Sequence, residues 1–200
     1  MDSRAKSNYY ILIIALIIGF IVLALGLVKN KNTICNASSL DNKKYLVQDL
    51  DDKDEASYLL SVVRRRIFII CDYLLKNIDK YPQYSTYIKQ FCDRIQNIVL
   101  KENTANNKFT SYTVNKGDEM VLCLRSNKTG DLHDINLIMY VVIHELAHIA
   151  CPEINHTPLF TELFIFYLKI AIDLGVYNKV NYQINPKEYC GITIQENILK

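Results

Sequence analysis

Residues 137–150 read Leu-Ile-Met-Tyr-Val-Val-Ile-His-Glu-Leu-Ala-His-Ile-Ala, a run that is apolar on nearly every side of a helix. A helix without a polar face has to be buried. Inside it stand His144, Glu145 and His148, and burying two imidazoles and a carboxyl group is costly unless something satisfies them. The fold must therefore close around this helix and bring a partner to its polar groups. Histidines four apart differ by about 40° in direction and stand one turn apart, so both rings reach one metal ion. Glu145, about 100° around the helix from His144, is out of range as a close ligand. It can reach a water on such an ion, where a carboxylate acts as general base.

A site of this kind needs a third protein ligand and an open fourth position. Pro152 ends the helix, because the residue before a proline is pushed out of helical geometry. A second helix starts at Thr157-Pro158, with Thr as N-cap and Pro in the first turn, and runs to Gly175. His156 lies in the short connection between the two helices and is the favoured third ligand. Glu162, on the following helix, is the competing carboxylate ligand. His133 precedes the first helix and reads as a surface or capping residue, next to the N-cap Asp134.

Elsewhere the pattern is less specific. Residues 9–28 are twenty without a charge, which at about 1.5 Å per residue match the hydrocarbon thickness of a bilayer, and the expectation is an uncleaved transmembrane helix. The lysines at 29, 31, 43 and 44 outnumber Arg4 and Lys6, which leans the remainder of the chain toward the cytosolic side. The sequons at Asn36, Asn127 and Asn155 permit the opposite orientation. Residues 29–56 are polar, with an acidic run over 49–55, and read as a tether whose acidic run is solvated. Six cysteines without a C-x-x-C pair are expected as mostly reduced, buried thiols. A net charge of +2 lacks the basic excess of a nucleic-acid binder. Nothing in the sequence sets the oligomeric state.

Apolar residues at 59, 63, 67, 70, 74 and 78 predict a helix over 57–79, with Arg64, Arg65 and Arg66 on a solvated face. A second helix is predicted over 85–101 from Phe91, Ile95 and Ile98. Two β-prone runs, 111–114 and 120–125, flank Asn115-Lys-Gly-Asp-Glu119 and predict a hairpin. The tail, 176–200, reads as irregular or short strand.

His-Glu-Leu-Ala-His, followed after seven residues by His156 and then by Phe160, resembles the WLM and SprT-like zincin metallopeptidases, of a type encoded by large DNA viruses. Asn115-Lys-Gly117, Val121-Leu-Cys-Leu-Arg-Ser126 and Glu188-Tyr-Cys-Gly191 fit the same resemblance, which covers about residues 57–195. It is not metzincin-like, since Cys151 stands where that pattern has glycine. The expected architecture is α+β: a tail 1–8, the N-terminal transmembrane helix 9–28 and the tether 29–56 read from the apolar and polar runs, then the mainly helical minimal zincin-like domain over 57–200, with a small β-hairpin or sheet, that the resemblance implies. The resemblance implies Zn2+ on His144, His148 and His156, Glu145 as catalytic base and a peptide or protein substrate, while the apolar run 9–28 is the expected bilayer contact. Residues 120–125 are the expected substrate-pairing edge. Tyr189, with Tyr182 behind it, is the candidate oxyanion stabiliser, and Cys190 is a candidate inhibitory ligand. Two alternatives carry the same motif: a zincin-fold interaction protein without turnover, and a protease of DNA–protein crosslinks, against which the missing basic domain counts.

Overall fold

Five strands form one mixed sheet in the order β1-β2-β3-β5-β4. They are β1 Thr33–Ala37, β2 Lys44–Gln48, β3 Val99–Glu102, β4 Tyr112–Val114 and β5 Glu119–Leu122. The computed structural model describes residues 13, 14, 17, 33–104 and 110–199. β1–β2 and β4–β5 are antiparallel hairpins, and β2–β3 and β3–β5 are parallel. The helices are α1 Lys53–Lys76, α2 Ser85–Arg94, α3 Ile135–Ala150 and α4 Pro158–Asp173, and β6 Lys187–Tyr189 pairs with β7 Ile192–Ile194 in a separate two-stranded ribbon. α3 packs against α4, α2 and α1, with one flank on β4 and β5.

Several expectations are corrected here. Among the described residues no helix is long and apolar enough to cross a membrane, so neither the transmembrane helix nor the single-pass membrane placement is supported. The run 9–28 itself lies outside the described residues apart from Ile13, Ile14 and Ile17. The apolar helices α3 and α4 have 16 residues each and reach about 24 Å, short of a hydrocarbon core of about 30 Å. The longer α1 carries Arg64, Arg65, Arg66 and Asp72 along its length.

The stretch 29–56 is not a bare tether, because it supplies β1, β2 and the first turn of α1. β2 alternates, with Tyr45 and Val47 buried on one face, although the surrounding sequence is polar. The predicted helix over 85–101 stops at Arg94, and Val99–Glu102 turns into a strand paired with both β2 and β5. Nor is 120–125 an edge: β5 lies between β3 and β4, and β4 is the outer strand on that side.

The arginines of α1 do more than face water. Arg64 donates to the Ile98 carbonyl at 2.8 Å and Arg66 to the Val176 carbonyl at 2.9 Å, leaving Arg65 exposed. Two cysteine pairs are disulfides, Cys71–Cys92 and Cys123–Cys190, with Cys35 and Cys151 free. Cys190 is thereby tied to Cys123 rather than available as a ligand.

The acidic run is anchored too. Arg125 donates to Asp52 at 2.5 Å and to Glu102 at 2.8 Å, and Glu102 also accepts the Gln48 backbone N–H at 2.6 Å. Burial pushes the Glu102 carboxyl up despite these contacts, while the Arg125 hydrogen bond holds Asp52 down. Removing one partner of a buried pair strands the other charge, which costs about 3–5 kcal/mol. Arg125→Ala is therefore expected to lower unfolding stability by about that amount. A urea unfolding free energy within about 0.5 kcal/mol of the parent chain's would show that the network is not a structural tie.

Candidate metal centre

α3 begins at the cap Asp134, whose side chain accepts the Asn136 N–H at 2.8 Å. Its C-terminal carbonyls are met by side chains from outside the helix. Arg94 donates to Ile149 at 2.5 Å and Gln90 to Ala150 at 3.2 Å. Lys116 donates to Cys151 at 2.6 Å, Pro152 at 2.9 Å and Glu153 at 3.3 Å. A cation at a helix C-terminus also opposes the negative end of its dipole. Lys116 sits in the β4–β5 turn, where Asn115, Lys116 and Gly117 all have positive φ. It thus fastens the α3–α4 connection, which turns back through Asn155 at φ +70° and delivers His156. Thr157 then caps α4 by accepting the Phe160 N–H at 3.2 Å.

The result is a triangle of imidazoles. The Nε2 atoms of His144, His148 and His156 are 3.0–3.2 Å from one another. Three converging ring nitrogens cannot all be satisfied by hydrogen bonds among themselves, since each is a single donor or a single acceptor. A tetrahedral zinc with bonds of about 2.0–2.1 Å sets its ligand nitrogens about 3.3 Å apart. The three residues fit a zinc ion on that measure. Burial, then the other two rings, lowers His144 to about 3. Burial, then His156 and Lys116, lowers His148 to about 4. Both rings are therefore held neutral near pH 7, the form that ligates a metal. Phe160 stacks on His148 at 4.2 Å and lies edge-on to His144 and His156, which fixes the ring orientations.

Glu162 does not join this cluster, because it accepts the Tyr84 hydroxyl at 2.9 Å. Glu145 is buried, lines the cleft beside the triangle, and is raised to about 7 by burial. Tyr189 lines the same cleft, and burial and the nearby Glu145 push its phenol up. Its hydroxyl is 2.7 Å from Ser111 Oγ, which accepts the Cys123 N–H at 3.0 Å. Tyr182 is elsewhere, packed edge-on to Tyr140 at 4.8 Å and outside the cleft lining.

Three residues of the site had no functional reading from sequence. Ser111 holds Tyr189, and His133, buried rather than at the surface, stacks on the Tyr189 ring at 5.1 Å. Lys116 secures the connection that carries His156. Only Lys116 had a local signal, its place in an Asn-Lys-Gly turn.

The fold and the cleft together define a mixed-sheet α/β protein with three clustered histidines, two on α3 and one on the connection that follows it, placed so that they could hold a metal ion. No protein-family model matches the chain. The chain belongs to the family of the uncharacterized protein R325 of Acanthamoeba polyphaga mimivirus, with which it is 50% identical over 196 residues, 97% of this chain and 100% of that one. The uncharacterized protein 136R of Invertebrate iridescent virus 6 is 28% identical over 152 residues, 64% of this chain and 84% of that one. Among solved structures, Wss1 from Saccharomyces cerevisiae is 18% identical with a TM-score of 0.47, covering 65% of this chain and 85% of that one. Likeness at this level concerns the course of the chain and carries nothing about chemistry.

Proposed function

We propose that this protein is a zinc-dependent metallopeptidase whose active site is the cleft between α3, α4 and the β6–β7 ribbon. The observation that carries the reading is the Nε2 triangle with a buried carboxyl group, Glu145, opening on the same cleft. The resemblance of the motif to WLM and SprT-like zincins supports the same assignment.

His144, His148 and His156 would hold the ion, leaving its remaining position to the cleft. Zinc bound there would supply Lewis-acid chemistry for hydrolysis of a peptide carbonyl. Glu145 takes the proton from the attacking water and passes it to the leaving amine. Burial by the surrounding helix holds this carboxyl up, and its place on the cleft beside the three histidines suits a group that accepts and returns a proton there. Tyr189 is the donor for the developing oxyanion. With Ser111 as the donor to the phenol oxygen, the phenolic hydrogen is left for the cleft.

The direct test is cleavage of unfolded protein or mixed peptides by the purified chain, lost on chelation and restored by one equivalent of zinc. Absence of cleavage by fully zinc-loaded protein would remove the reading. Tyr189→Phe is expected to lower kcat about 10²-fold with KM and bound zinc little changed, since the ring keeps its stacking on His133. A kcat equal to the parent's would exclude Tyr189 from the reaction.

A further inference from the structure

The cleft has a volume of about 520 Å³, far more than a water and a carboxyl group need, and within the range of sites that take organic ligands. Part of its lining is an aromatic surface beside the triangle. The His144 ring is 4.9 Å from Phe160 and 5.2 Å from Phe164, and Tyr140 meets Phe164 at 5.4 Å. Val141 continues this surface one turn back along α3. Facing it are Ile194 of β7 and Ile198 of the segment beyond, both partly buried against the core. Among the described residues, no Lys or Arg lines the cleft, while Glu145 and Glu196 do.

We infer that this space is a side-chain subsite: the substrate is a polypeptide with a large apolar or aromatic residue next to the scissile bond, and the C-terminal segment 192–198 is the wall that sets its size. The inference rests on the peptidase reading and adds the substrate class. A side chain seated against Phe160 and Phe164 places the adjoining peptide bond beside His144 and Glu145. An acidic side chain finds no Lys or Arg among the lining residues and meets Glu145 and Glu196 instead. Each methylene gained in an apolar pocket is worth about 10–200-fold in kcat/KM. A flanking Phe or Leu should thus be preferred over Ala by at least about 10²-fold, and over Asp by more.

The test uses the full zinc-loaded chain in two arms. In the first, peptides differing only at the residues flanking one bond (Phe, Leu, Ala or Asp) are compared by kcat/KM. Thr161→Phe, which fills the cleft from α4, should reduce the Phe-over-Ala preference at least about tenfold, and Ile198→Ala should widen acceptance toward larger side chains. The second arm needs no turnover. The chain contains no Trp, so a peptide with a single Trp at the flanking position reports its own burial. Added to Glu145→Gln protein, it should show a saturable blue shift that weakens about tenfold when Thr161→Phe is introduced.

Equal rates for Phe and Ala peptides, or a preference unmoved by both variants, would overturn the subsite while leaving the peptidase reading intact. Burial of the Trp peptide without cleavage of any peptide would uphold the pocket as a side-chain binding site and end the peptidase reading, and with it the place of a scissile bond beside the pocket. Neither burial nor cleavage would overturn both.

Discussion

Glu145→Gln is expected to leave one zinc per chain and to reduce peptide cleavage by about 10²–10⁴-fold or more. The two halves of that outcome come from different parts of the geometry. Glu145 is not a corner of the Nε2 triangle, so replacing its carboxyl group with an isosteric amide leaves the three ligands in place. The amide cannot accept a proton, so the step assigned to Glu145 is lost. Because burial already raises this group to about 7, a neutral side chain at 145 is well tolerated, and the variant should fold as the parent does. The measurement is zinc content beside kcat/KM on one preparation. Undiminished cleavage with zinc retained would show that another group is the base.

The second large effect is expected at His156. His156→Ala removes one corner of the triangle and leaves two ligands on α3, and the bound zinc should fall from about one per chain to under about a tenth after dialysis. The stabilisation that zinc gives the parent, about 2.7 kcal/mol at a hundredfold excess over Kd, should vanish with it. Glu162→Gln is the matched control. Its carboxylate is engaged with Tyr84, so zinc content and zinc-dependent melting should not change. Zinc kept by His156→Ala but lost by Glu162→Gln would mean that the connection rearranges and the carboxylate is the true third ligand.

The contrast between these two candidates shows where sequence was sufficient. α3 and α4 were readable because both are apolar over several turns and carry local boundary signals, Asp134 before one and Thr157-Pro158 at the start of the other. The spacing of His144 and His148 then follows from the helix itself. The sheet was harder to read. β1 and β2 lie in a polar stretch where only Tyr45 and Val47 face inward, and β3 was read as a continuation of α2. Ile95 and Ile98 are indeed buried at helical spacing, but the strand that follows them exists because β5, about twenty residues later, completes its hydrogen bonds. No local window contains that partner. The supports of the site were hidden for the same reason. Ser111 and His133 matter only because the chain brings Tyr189 back from 78 and 56 residues away. The reduced-thiol expectation failed likewise, since Cys123 and Cys190 meet across a separation of 67.

The strand order also makes the two ends of the described chain unequal. β1 is the outer strand on one side of the sheet and β4 on the other, four strand spacings or about 19 Å away, with the residues just before β4 lining the cleft. A label placed on β1 itself, at Cys35, is thus carried at the sheet margin opposite β4 and the cleft residues ahead of it. The opposite end is not neutral ground: Ile198 is part of the cleft wall, so an affinity tag appended there would alter the measured selectivity before any residue had been mutated.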